Sequence, residues 1–157
     1  MVVPPARRRP PPFLPAAHDP KALSWILRRA VRRYRTPVAV ALQRRDFGDL
    51  PQQGVWAVCA LGQSTPGLSG RDLVTRMDIS KQAVSQLVDT LVTAGYVVRR
   101  PSPEDRRRTL LLLTARGRRA VRVIDETVAD VEAELAAKIG GDTLRQLYIA
   151  LEELDIE

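Results

Sequence analysis

The 157-residue chain contains a single cysteine and a single histidine. One cysteine excludes an intramolecular disulfide and any zinc site built on several thiolates. One histidine, His18, leaves a His-rich metal centre or a Ser-His-Asp triad almost nothing to draw on. Aromatic residues make up only 4%. The longest apolar run, Val55 to Leu61, falls far short of the ~20 residues a membrane helix needs, so no membrane partner is expected. The chain has no glycine-rich phosphate loop of the GxxxxGK[ST] type and no evident nucleophile–base pair, and its carboxylates fall mostly on solvent faces. An enzyme, a metal and a cofactor are therefore not expected.

Arginine is abundant, and its placement says more than the net charge of +7. Residues 1–46 carry 11 Lys/Arg against 2 Asp/Glu, residues 47–119 carry 11 against 6, and residues 120–157 carry 3 against 10. A basic front two thirds suits a polyanionic partner, nucleic acid before an anionic membrane surface. An arginine-biased composition alone is the bland alternative.

Residues 1–20 include seven prolines, which excludes a helix or a central strand and predicts a disordered or polyproline-type tail. Its Arg7 to Arg9 cluster reads either as an arm for DNA phosphate or as solvated charge, and His18 as solvated. From Lys21 to Arg45 apolar residues recur in steps of three and four, from Leu23 to Leu42, predicting an amphipathic helix capped by Asp19. Pro37 is expected to kink or split it. Pro51 opens a second helix bearing Trp56 and Cys59. Ser69-Gly70-Arg71-Asp72 resembles a capping box for a short third helix. Ser80 then caps a helix with the apolar stripe Ala83, Val84, Leu87, Val88 and Leu91, closed by Gly95. Tyr96 to Arg100 and Thr109 to Leu113 predict two strands around a polar loop. Thr114 caps a long helix that Gly140-Gly141 stops, and Asp142 is expected to cap a last one with a Leu144, Leu147, Leu151, Leu154 seam.

Helix, short helix, tight turn, helix, strand, loop, strand is the order of a winged helix-turn-helix. The fold class expected is mainly α, a winged helix-turn-helix (α/β) flanked by N- and C-terminal helices. A recognition helix must pack one face on the body and offer short hydrogen-bonding groups to base edges with the other. Ser80, Lys81, Gln82, Ser85 and Gln86 form that outer face, and no acidic residue occurs from Ser80 to Val88. Arg106, Arg107 and Arg108 in the loop suit a narrow minor groove. Asp105 beside them is expected to hold an arginine fork in one orientation. A polar solvated helix face is the alternative.

The stretch Leu61 to Ala120 resembles the MarR family of bacterial transcription regulators. The family's Asp-x-Arg wing signature falls on Asp105 and Arg107, and its Leu-Thr-x-x-Gly signature on Leu113, Thr114 and Gly117. The resemblance implies a homodimer interlocked by the first and last two helices. Each subunit would offer one winged helix to half of a pseudo-palindromic operator. After the disordered Pro/Arg-rich tail (1–20), which is not a family feature, the resemblance makes residues 21–157 a MarR-type domain, with the winged helix at about 48–116 and dimerisation helices at about 21–46 and 117–157. The function expected is a sequence-specific double-stranded DNA-binding regulator in the bacterial cytoplasm, at the nucleoid, most simply a ligand-responsive repressor. An architectural or RNA-binding winged helix without an effector is the alternative. Trp25 and Trp56 are read first as core residues. Alternatively they line a pocket for a small aromatic or anionic effector, with Arg32 and Arg33 as carboxylate anchors. Family members that sense peroxide use a cysteine near the chain start in the first helix. Cys59 lies on the second, in an apolar run, and reads as a structural thiol.

Overall fold

Six helices and three short strands follow one another along the described residues, 22–105 and 107–153 of a computed structural model. The proline-rich tail with Arg7 to Arg9, His18 and the Asp19 cap lies outside them, as do Lys21, Arg106 and Leu154.

Helix α1 runs Ala22–Arg44 and α2 runs Gln52–Gly62. Pro37 lies inside α1 without splitting it. The proline removes one helical donor, and the carbonyl it would have met belongs to exposed Arg33, where water can replace the bond. Strand β1 (Leu68–Ser69) leads into α3 (Gly70–Met77). The capping box forms as expected: Ser69 Oγ accepts from the Asp72 N–H, and an Asp72 carboxylate oxygen accepts from the Ser69 N–H at 2.7 Å. The Ser69 hydroxyl also donates to that carboxylate oxygen at 2.7 Å, and this bond, with that from the Ser69 N–H, holds the Asp72 carboxyl below its usual range. Asp78, left-handed at φ 48°, ends α3.

Helix α4 spans Lys81–Thr93 and buries Val84, Leu87, Val88 and Leu91. Gly95 follows at φ 74°, a conformation that carries little cost without a Cβ, and turns the chain into β2 (Val97–Pro101). Strand β3 (Thr109–Leu113) returns antiparallel, with Val97 opposite Leu113 and Pro101 opposite Thr109. The sheet order is β1-β3-β2, with Leu68 opposite Leu111. β1 was not expected from the sequence, because two residues carry no periodicity.

The long α5 (Ala115–Ile139) packs on α1 and α2, and α6 (Gly141–Glu152) folds back on it. Asp142 is not the cap of α6. Gly140, at φ 87°, occupies that place and Asp142 sits in the first turn, where its charge suits the helix dipole. Tyr96, Leu73, Leu91 and Val58 are fully buried at the centre. Trp25 and Trp56 are not core residues, being 53% and 63% exposed. Beside Trp25 on α1, Leu23, Ile26 and Val31 are exposed, as are Leu147, Tyr148 and Ile149 on α6. No helix among the described residues is long and apolar enough to cross a membrane.

Candidate nucleic-acid interface

The outer face of α4 is built by its cap and its core contacts. Ser80 Oγ accepts from the Ala83 N–H at 3.2 Å and fixes the first turn. With the stripe from Val84 to Leu91 turned inward, Lys81, Gln82, Ser85 and Gln86 are all left exposed. Gln82 and Gln86 stand one helical turn apart on one face. The unpaired N–H groups of the first turn add partial positive charge at the same end.

One turn further on, exposed Asp89 meets Arg99 of β2 at 2.7 Å. This pair ties the wing to the back half of α4 and was not foreseen, since each residue looks like ordinary surface charge in sequence. Between α4, α3 and the sheet lies a cleft of about 510 Å³ with Val74, Val84 and Leu111 in its wall and Arg71, Lys81 and Arg99 around it.

The wing closes through its backbone. The Ser102 N–H donates to the Arg108 carbonyl at 2.8 Å and the Arg108 N–H to the Asp105 carbonyl at 2.9 Å. The Asp105 carboxylate accepts from the Arg107 N–H at 2.9 Å, an Asx turn. Asp105 thus orients the wing by holding backbone, where the sequence suggested an arginine side chain. Arg107 and Arg108 are exposed at the tip, and Arg106 lies outside the described residues.

Behind the interface is a polar junction that sequence reasoning missed. The buried Tyr96 donates its hydroxyl to Asp49 at 2.6 Å, and Arg116 Nη2 reaches the same oxygen at 2.8 Å. The Arg116 guanidinium lies over the Tyr96 ring, 4.4 Å from its centre, and also donates to the Ala94 and Asp46 carbonyls. The Tyr96 hydrogen bond, with help from Arg116, holds the Asp49 carboxyl below its usual range; burial pushes the Tyr96 hydroxyl up. The junction joins the α1–α2 connection, the end of α4 and the start of α5. Its members are 47 and 67 residues apart in sequence, so no local pattern marks them.

The suggested effector residues are not brought together. Trp56 borders a surface cavity of about 620 Å³ with Cys59, Gln63, Arg76 and Met77. Arg32 borders a different one, on α1, and Trp25 lines neither. Arg33 is paired with Glu134 at 2.9 Å. Burial, with Asp125 adding to it, pushes the Cys59 thiol up to about 11. Its thiolate is therefore scarce at neutral pH, the opposite of a reactive cysteine. Among the described residues no cluster of His, Cys, Asp and Glu is placed to hold a metal.

A family model described as MarR family matches residues 57–108, from α2 through the wing. The putative transcriptional regulatory protein for the hcr operon of Thauera aromatica is 31% identical over 98 residues, covering 62% of this chain and 58% of that protein. The chain thus spans under two thirds of the length of the curated relatives it matches. Among solved structures, the transcriptional repressor CouR bound to a 23-mer DNA duplex superimposes with a TM-score of 0.68 at 25% identity, over 85% of this chain and 92% of that one. Wild-type apo MarR from E. coli gives 0.62 at 20% identity, over 85% and 96%, a likeness of fold.

Proposed function

The chain belongs to the MarR family of transcriptional regulators, and on that premise we propose that it is a ligand-responsive repressor binding a pseudo-palindromic operator as a homodimer. One observation carries the reading. The exposed polar face at the start of α4, acid-free from Lys81 to Gln86, lies beside a wing whose arginines are held by strand pairing and an Asx turn. The winged helix over about 48–116 reads DNA, and helices over about 21–46 and 117–157 join two copies. It works by binding, not catalysis, at the chromosome in the cytoplasm. Gln82, Gln86 and Ser85 contact base edges. Ser80, Lys81, Arg106, Arg107 and Arg108 hold phosphates and the minor groove. A small effector favours a dimer geometry in which the two recognition helices misfit the operator. The structural likeness to CouR, a transcriptional repressor solved on a DNA duplex, supports this reading.

The test is a titration of operator and scrambled DNA at several salt concentrations, the operator being selected from genomic fragments. Gln82→Ala is expected to cost about 1–3 kcal/mol on the operator and little on scrambled DNA, because an uncharged group adds discrimination without releasing counterions. Arg107→Ala is expected to weaken both and to flatten the slope of log affinity against log salt by about one unit. The half-sites should lie ~10 base pairs apart, one helical turn. Equal losses from Gln82→Ala on both DNAs, or an unchanged salt slope in Arg107→Ala, would show the assigned roles to be wrong. Unimpaired preference for RNA would favour the other winged-helix reading.

A further inference from the structure

Two grooves run into each other along α1. The first, about 480 Å³, is bordered by Arg28, Arg32 and Arg35. The second, about 280 Å³, lies between α1 and the start of α2, over Val38, Phe47, Leu50 and Val55. Arg35, Ala39, Gln43 and Gln52 line both, which makes a single slot with a cationic end and an apolar end.

The cationic end is uncompensated. Arg28, Arg32 and Arg35 recur at the spacing of one helical face, where like charges repel. Among the described residues none of the three forms an ion pair, whereas Arg33 and Arg45 of the same chain segment pair with Glu134 and Glu126 of α5. Acidic neighbours are thus used on the α5 side and withheld from the slot. A monocarboxylate would neutralise one of three guanidiniums. Phosphates match the planar guanidinium fork with two parallel hydrogen bonds each, and two phosphates satisfy all three. The Gln43 and Gln52 amides at the junction suit ester oxygens, and the apolar end suits an uncharged arm.

We infer that this slot binds a diffusible organic ester carrying two or more phosphates and an apolar arm, and that this ester is the effector. The inference rests on the regulator reading for its consequence, not for the binding itself. A route to the recognition helix is present. Phe47, in the slot, lies 6.3 Å ring to ring from Tyr96, and neighbouring Asp49 holds Tyr96 and Arg116.

Calorimetric titration of the full chain with geranyl diphosphate, inorganic pyrophosphate and geraniol, without DNA, tests it. Geranyl diphosphate should bind at least tenfold tighter than either half. Arg32→Ala and Arg35→Ala should each lose tenfold or more, while Arg29→Ala, off the stripe, should lose little. All are exposed, and circular dichroism checks their fold. No preference for the whole ester, or an equal loss in Arg29→Ala, overturns the inference. So does sedimentation with phosphatidylglycerol vesicles that depends on the same arginines, which would make the stripe a lipid-headgroup contact. Loss of assembly in Arg32→Ala also overturns it, giving the stripe to a second copy. Because DNA is absent, failure here leaves the operator titration standing, and failure there leaves this binding standing.

Discussion

At Gly117 a single hydrogen decides whether α5 can start where it does. A Cβ there would stand 2.2 Å from the Tyr96 carbonyl oxygen and 3.0 Å from the Leu113 side chain. The close approach is made by Thr114, whose hydroxyl donates to the Gly95 carbonyl at 2.6 Å while accepting from the Gly117 N–H at 3.1 Å. The Leu-Thr-x-x-Gly pattern is thus a cap and a contact in one. Because the obstacle is backbone, Gly117→Ala is expected to cost about 3 kcal/mol, the upper end for overpacking. That lowers Tm by roughly 6–12 °C for a chain of this size, readable by calorimetry. The exposed Gly70, with nothing within 4 Å of its Cβ position, should accept alanine with little change. The cap was legible in the sequence as Thr114 and Gly117. The reason for the glycine was not, since the atom it avoids belongs to another element.

Between elements, the Asp49–Tyr96–Arg116 junction is a contact that acid weakens. Its carboxyl binds a proton less readily folded than unfolded, the Tyr96 hydrogen bond being the chief cause. Its stabilisation is therefore complete above the unfolded value of 3.8 and is lost as the pH falls through the lower folded value. Asp72 in the capping box adds in the same direction. Urea midpoints measured from pH 6 to pH 2 should fall more steeply for the natural protein than for Asp49→Asn. Tyr96→Phe should cost about 1 kcal/mol at pH 7, modest because Asp49 is half exposed. An equally steep fall in Asp49→Asn would remove the junction's role. Strong periodicity and chemical punctuation made the helices, both wing strands and the Ser69–Asp72 box readable in advance. The junction, the Asp89–Arg99 pair and β1 depend on residues meeting across folded distance, which spacing along the chain does not encode. The same limit misplaced Trp25 and Trp56: apolar spacing says which helix face is apolar, not whether this chain covers it.

For the whole molecule, that uncovered surface is the expectation to test. Leu147 is 44% exposed on α6, and Trp25 and Ile26 on α1 are more open still. Leu147→Asp should therefore leave the folding of a single chain nearly unchanged while driving a proposed dimer towards monomers, because only assembly would bury the new charge. Sedimentation velocity at micromolar concentration reads the shift, and operator affinity should fall with it. A variant that remains dimeric would place the seam elsewhere. Pro37 gives α1 a mechanical character here. Every buried residue of that helix, Val38 and Leu42, lies after the proline, whereas Leu23, Trp25, Ile26 and Val31 lie before it. The missing bond at Arg33 makes that point the softest in the rod. The chain's own body thus buries the short arm of a lever, with the fulcrum at Pro37, and holds the long arm by surface contacts such as the Arg33–Glu134 pair. Whatever grips the long arm turns a small push there into torque on the α1–α2 connection, which carries Asp49.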